Sequence, residues 1–285
     1  MFNKLKRHWK VNSYQLLLII LTFAVGGSLC GYIGRKLLVW LNVEKGILWI
    51  ILYILLITLL WPVSVILISI LFGQFGFFKK YLIRIWGKMR GKKKTRIAIF
   101  ASGAGSNAQK IIDHFKMSGS VKVELIVCNR PNAGVLAIAA DENIPSILIT
   151  REQFLNGDAY LPELQKHKID FIVLAGFLWK VPRQLIAAYR GRIINIHPAL
   201  LPKYGGAGMY GHRVHDAVIS NKEKESGISI HYVDEIYDHG EIIFQARCSV
   251  DQNDTAESLA EKIHKLEHEH FPAVVERIIK QTSST

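Results

Sequence analysis

The chain has 285 residues, half of them apolar, enough for one good-sized domain and something more, and its formal charge of +13 would suit a nucleic-acid binder. That charge is concentrated. Residues 1–96 carry sixteen Lys or Arg and one acid, a balance of +15, and residues 97–285 balance at −2, which excludes a broad basic nucleic-acid face on the larger part.

The basic third is also the most apolar third, which points to a membrane surface. Tyr14 to Ile33 is uncharged, and so is Ile47 to Phe78, with its densest part at Leu48 to Phe72. About 20 apolar residues cross a bilayer core as a helix, so spans are predicted over about 14–34 and 47–72, with Pro62 tolerated as a kink. Lys4, Lys6, Arg7 and Lys10 precede the first run, and nine Lys or Arg from Lys79 to Arg96 follow the second. The loop between them holds only Arg35, Lys36, Glu44 and Lys45. This asymmetry predicts a multi-pass hairpin with the N-terminus and the following domain in the cytoplasm. A cleaved signal peptide competes weakly, because a second apolar run follows and no clear small-residue cleavage site does. A buried core hairpin is the other competing reading. Trp86 to Thr95 reads as a basic linker lying against anionic headgroups. The expected division is residues 1–95 as membrane hairpin and linker, and 96–285 as a separate domain.

From Arg96 the pattern alternates. Strands are expected at 96–102, 121–128, 146–150, 170–176 and 192–197, with helices at 106–115, 131–142, 159–167 and 181–189 between them. Near-continuous apolar strands separated by helices predict an α/β fold, a doubly wound, mostly parallel sheet covered on both faces. A Gly-rich loop, Tyr204 to Gly211, a short helix near His215, two antiparallel strands (227–233 and 241–250) and a long helix (255–279) complete the chain. Cys30, Cys128 and Cys248 form no C-x-x-C pair, which argues against a disulfide framework or a zinc site and fits a reducing compartment.

Two places in this domain carry chemistry. After the first strand, Ala101 to Ala108 reads A-S-G-A-G-S-N-A, glycines for a tight turn and then a helix start whose free N–H groups suit a phosphate. The half-match to a dinucleotide fingerprint lacks the acid that should end the second strand, which reads Cys128-Asn129-Arg130, so a monophosphate is favoured over NAD. A plain tight turn with a Ser/Asn cap is the alternative. The fifth strand ends Asn195-Ile196-His197-Pro198, and residues i and i+2 point the same way, so an amide and an imidazole leave the sheet together. The C-terminal edge of a parallel strand is where open α/β sheets bind ligands.

Four ordered motifs, Ser102 to Asn107, Leu174 to Phe177, Asn195 to Pro202 and Ser229 to Gly240, together resemble the phosphoribosylglycinamide formyltransferases. The likeness runs from about Arg96 to Ile279. It implies formyl transfer from 10-formyltetrahydrofolate, as co-substrate, to the amine of glycinamide ribonucleotide, with no metal and no nucleic-acid partner. It implies a catalytic set of Asn195, His197 and Asp238, a substrate-phosphate loop at Gly105, Ser106 and Asn107, a substrate contact at Glu267, and folate contacts at Leu178, Trp179, Lys180, Val181 and Asn195. The chemistry wants these types. Asn195 can donate to the oxygen on which charge builds, and a protonated His197, its pKa raised by Asp238, can donate a second bond and then a proton. Asp238 helps move the proton lost by the amine.

The sequence departs from that family at His239-Gly240, where two glycines are usual, and at Gly205 to His212, a longer and more glycine-rich loop. It also differs at Trp179 and Lys180, and in the F-L-N-G-D-A-Y region, which lacks the family's arginine. The alternatives are a formyltetrahydrofolate hydrolase, disfavoured by the Gly-Ser-Asn loop, and a membrane-tethered binding protein without catalysis, disfavoured by the intact Asn195, His197 and Asp238. Methionyl-tRNA formyltransferase would need a further tRNA-binding domain. Oligomeric state is left open by the sequence.

Overall fold

The computed structural model describes residues 5, 6, 9, 11–89, 94–156 and 159–282. Lys4, Arg7 and Lys10 of the first basic flank, Arg90 to Lys93 of the basic linker, and Gly157 and Asp158 lie outside them. The chain forms two compact units, residues 1–92 and 93–285.

The first unit is built on two long helices, α1 (Ser13–Trp40) and α2 (Ile47–Leu71). Asn12 starts α1 with a capping box, its side chain accepting from the Gln15 N–H at 2.7 Å. At 1.5 Å per residue the helices run about 42 and 38 Å, against about 30 Å for a bilayer's hydrocarbon core. One stripe of α1 is buried, Leu16, Ile19, Thr22, Gly26, Cys30, Gly34 and Leu38, every third or fourth residue. Small residues bring the helices close: a Cβ on Gly26 would stand 3.0 Å from Val65 and one on Gly34 3.4 Å from Tyr53. The rest of the helical surface is apolar and exposed, including Leu48, Ile51, Ile54, Leu59 and Leu67. The second helix ends close to the predicted 72, and the uncharged run that continues to Phe78 is interrupted there. The helix stops at Leu71, Gly73 turns the chain at φ +66°, and a separate helix α3 (Phe75–Met89) follows. The residues from Trp86 to Met89, expected as linker, belong to it.

The second unit opens with β1 (Thr95–Ala101), α4 (Ser106–Phe115), β2 (Val121–Cys128), α5 (Gly134–Asp141) and β3 (Ser146–Leu148). Next come α6 (Arg151–Leu155), α7 (Leu161–Lys166), β4 (Phe171–Leu174), α8 (Arg183–Ala188) and β5 (Ile193–His197). It ends with α9 (His212–Ser220), β6 (Glu225–Tyr232), β7 (Ile242–Ser249) and α10 (Ala256–Thr282). The sheet order is β3-β2-β1-β4-β5-β6-β7, parallel through β5 and antiparallel for the last two strands. Strand alternation divides the core. Ile97, Ile99 and Ala101 face α4, α5 and α10, and Ala98 and Phe100 face α6, α7 and α8. The short helix α6 was not expected; five residues are too few to show a helical period.

The sheet order reverses between β1 and β4, so the loops leaving these neighbouring strands diverge and open a crevice at their C-terminal ends. The Ser102 hydroxyl holds the two loops in register, accepting from the Leu178 N–H at 3.0 Å, while the Ser102 N–H donates to the Gly176 carbonyl.

Candidate active site

A cleft of about 460 Å³ opens at this crevice, within the range of small-molecule sites. Every residue singled out above as catalytic, substrate-binding or folate-binding lines it.

Its centre is built by β5 and β6. Their antiparallel register sets Asn195 opposite His231 and His197 opposite Ser229. The Asn195 amide nitrogen lies 3.1 Å from His231 Nε2 and 3.4 Å from Asp238 Oδ1. His231 donates through Nδ1 to the Tyr232 carbonyl at 2.8 Å, so the neutral ring presents a lone pair at Nε2 that accepts from Asn195. The protonated ring would instead point Nε2–H at Asp238, 3.6 Å away. His197 is 3% exposed, donates through Nε2 to the Tyr204 carbonyl at 2.8 Å, and turns Nδ1 toward Asp238 Oδ2 at 3.5 Å. Asp238 sits at φ +53° in the loop after β6 and accepts the Gly206 N–H at 2.9 Å. Gly206 itself has φ +99°, a conformation glycine adopts without strain, which is how the Gly-rich loop brings a backbone donor to the carboxylate.

Burial opposes charge on Asp238, but the His231 imidazole, the positive charge available on His197 and the Gly206 N–H outweigh it and hold the carboxyl below its ordinary range. The histidine goes the other way from the expectation. Burial lowers the pKa of His197, and the opposing pull of Asp238 and the Tyr204 carbonyl is too small to reverse it. The ring is neutral at physiological pH, a proton acceptor at Nδ1 rather than a preformed cation. The carboxylate raises the pKa as expected; it is the 3% exposure that wins.

One arm of the cleft is the loop after β1. Gly105 caps α4 at φ +82°, and a Cβ there would stand 2.8 Å from Val135. Both the dihedral and the packing require glycine. Ser106 and Asn107 then start α4, where N–H groups are free. Asn107 Nδ2 donates to Glu267 Oε2 at 2.8 Å, and its own Oδ1 is buried without a partner. Glu267 is 6% exposed on α10; burial pushes its carboxyl up, partly offset by the Asn107 bond and by His264. His215, on α9, faces the same arm with Nδ1 buried and unpartnered, and burial lowers its pKa to about 4.

The other arm is apolar. Leu178 to Val181 line it with Phe177, Ile236 and Tyr237. Trp179 packs on Phe154 and Phe177 at ring distances of 5.9 and 6.2 Å, and Lys180 lies 5.6 Å above the Tyr237 ring. Sequence reasoning left His231 and His215 without roles. The signal for His231 was present, since Ser229-Ile-His231 alternates like Asn195-Ile-His197 and an antiparallel partner strand brings the two sets side by side.

The arrangement offers a buried carboxylate, a neutral imidazole and an amide donor between an anion-accepting arm and an apolar arm. Residues 95–275 match the family model described as Formyl transferase. The chain is 36% identical over 189 residues to a phosphoribosylglycinamide formyltransferase of Bacillus subtilis (strain 168), covering 65% of this chain and 94% of that one. It is 38% identical over 202 residues to a chloroplastic phosphoribosylglycinamide formyltransferase of Arabidopsis thaliana, covering 68% and 69%. Among solved structures, phosphoribosylglycinamide formyltransferase from Bacillus Halodurans superposes with a TM-score of 0.59 at 38% identity, covering 66% of this chain and 95% of that one. Glycinamide ribonucleotide transformylase 1 from Geobacillus kaustophilus gives 0.60 at 36%, covering 66% and 100%. With the α/β sheet, the crevice and the matched segment in agreement, the chain belongs to the formyl transferase family.

Proposed function

We propose that residues 93–285 transfer the formyl group of 10-formyltetrahydrofolate to the amine of 5'-phosphoribosylglycinamide, a step of purine biosynthesis, and that residues 1–92 tether this enzyme to a membrane. The observation that carries the first part is the meeting of Asn195, His197 and Asp238 between the two arms of the cleft.

The substrate phosphate fits the free N–H groups of the α4 N-terminus at Gly105, Ser106 and Asn107, while the buried, unpartnered Asn107 Oδ1 is left to accept from a hydroxyl or amide N–H elsewhere on the same substrate. Glu267 contacts the same substrate. The flat, apolar part of the folate fits along Leu178 to Val181, with Asn195 at the reacting end. The amine attacks the formyl carbon and charge moves to its oxygen. Asn195 meets that oxygen with an amide N–H, exchanging its long 3.4 Å contact to Asp238 for the new bond. The attacking nitrogen becomes cationic and must lose a proton. Asp238, held ionised, and neutral His197 accept it, and His197 returns it to the departing folate nitrogen. No covalent bond to the protein is required.

The second part rests on the hairpin's surface. A soluble helical hairpin hides its apolar stripe and shows a polar face; here both helices show apolar side chains outward along most of their length. The Lys/Arg bias places both ends and the catalytic unit on the cytoplasmic side.

The test is an assay of the purified full chain with 10-formyltetrahydrofolate in the presence and absence of glycinamide ribonucleotide. Tetrahydrofolate release that depends on the amine is expected. Release at the same rate without it would identify a hydrolase, and no turnover in either case a binding protein. The tether is tested by washing membranes at high salt and alkaline pH: the chain stays in the pellet.

A further inference from the structure

Helix α3 has three faces. Phe77, Phe78 and Tyr81 turn toward the hairpin, with Phe78 fully buried beside Ile19 and Val65. Its ring lies 4.8 Å from Phe23, and Phe23 stacks on Trp61 at 6.0 Å. Ile19 and Val65, beside Phe78, sit six residues inside the ends of α1 and α2, about 9 Å along the axis. Helix α3 therefore folds back against the end of the hairpin instead of continuing α2. A second face exposes Phe75, Ile83 and Trp86, at 44, 54 and 59%, with Lys79 among them. A third shows Lys80, exposed.

We infer that α3 is an in-plane interfacial helix that seats the hairpin on an anionic lipid surface, with Phe75, Ile83 and Trp86 at the headgroup–acyl boundary and the Lys80 face toward phosphate. It rests on the membrane reading of α1 and α2. Apolar and cationic faces on one helix, well apart around its axis, are what an interfacial segment needs. Lys79 decides between a lipid and a protein as the cover. It stands within the apolar stripe with its ammonium 6.0 Å from the Phe75 ring centre. At an interface the aliphatic stem stays in the acyl region while the head reaches the headgroups. Under a protein, the same ammonium would be buried without an acid on α3 to pair with, a costly arrangement. The surplus charge of residues 1–96 supplies the complementary attraction to acidic lipid.

The experiment uses the full chain with Cys30, Cys128 and Cys248 replaced by Ala, its formyl transfer verified, reconstituted in phosphatidylcholine vesicles containing phosphatidylglycerol. A fluorescent label is placed at Ile83→Cys or, as a reference within α2, at Leu55→Cys. The label at 83 is expected to be quenched by a nitroxide near the lipid headgroup more than by one at the chain end, and to be shielded from aqueous iodide. The label at 55 shows the reverse depth preference. Lys79→Glu with Lys80→Glu, or vesicles without phosphatidylglycerol, should shift position 83 toward iodide. Free access of iodide to position 83 in the acidic vesicles overturns the inference, and so does shielding from both lipid and aqueous quenchers, which would mean a second copy or another protein covers α3. If position 55 is also open to iodide, the membrane reading itself fails.

Discussion

His197 carries the largest consequence of a single side chain. Its neutrality follows from burial, and in the proposed mechanism it makes the ring a proton acceptor. His197→Ala should lower kcat by about 10²- to 10⁴-fold with the Kd of the phosphate substrate nearly unchanged, measured by steady-state turnover and equilibrium binding. The pH profile follows with a definite sign. The active form has His197 neutral, and its pKa lies below the ordinary value of about 6.5. The substrate amine's own titration puts a limb at about 8 in kcat/KM, so the test is kcat with both substrates saturating: it stays level as pH falls through 6.5 and declines only below it, and an acid limb at or above 6.5 under those conditions would contradict the assignment. His215 gives a stability prediction. Its folded pKa is about 4 against 6.5 unfolded, so between those values the unfolded chain binds a proton that the folded chain does not. Stability above pH 6.5 is unaffected by this group, and about 3 kcal/mol is lost as pH falls to 4. Urea unfolding of residues 93–285 should show that loss in the wild type and a flatter profile in His215→Gln.

At the level of elements, the loop after β1 is constrained twice at a single glycine, by dihedral and by packing. Gly105→Ala puts a Cβ both into a left-handed dihedral and against Val135. The loop must shift, so KM for the phosphate substrate should rise about tenfold, roughly 1.4 kcal/mol of binding, with kcat little changed. Initial-rate kinetics at saturating folate would read this. The parallel strands and the helices between them were legible because the central strands β1, β4 and β5 are buried on both faces and read as nearly unbroken apolar runs. Two helices were not. Helix α6 is too short to have a period, and α3 hides its amphipathic pattern under a high density of lysine next to an apolar run. Asn195 and His197 could be read as a pair because one strand end presents them, and Asp238 only because the motif from Ser229 to Gly240 resembles the family's. His231 required the register of β5 against β6, and the charge state of His197 required knowing how little water reaches it. Pattern gives direction along a chain; exclusion of solvent is a property of everything around it.

On the scale of the whole molecule, the chain forms two compact units. The second has its own two-sided core, and the Geobacillus structure, matched over its full length by two thirds of this chain, is a separately folded counterpart. Residues 93–285 expressed alone should therefore retain kcat within about twofold of the full chain while moving to the soluble fraction. Assay and fractionation of the two forms side by side would check this, and a large fall in kcat would mean that the first unit shapes the site. The order of elements has one more consequence. The cleft draws on residues from Ser102 to Glu267, and its last wall, α10, is the last helix of the chain. A ribosome thus delivers the complete apolar hairpin before it has made the first strand of the catalytic sheet. Under the proposed tether, targeting is decided while the catalytic sheet is still unmade, and each molecule completes its fold only where its N-terminal segment has already settled.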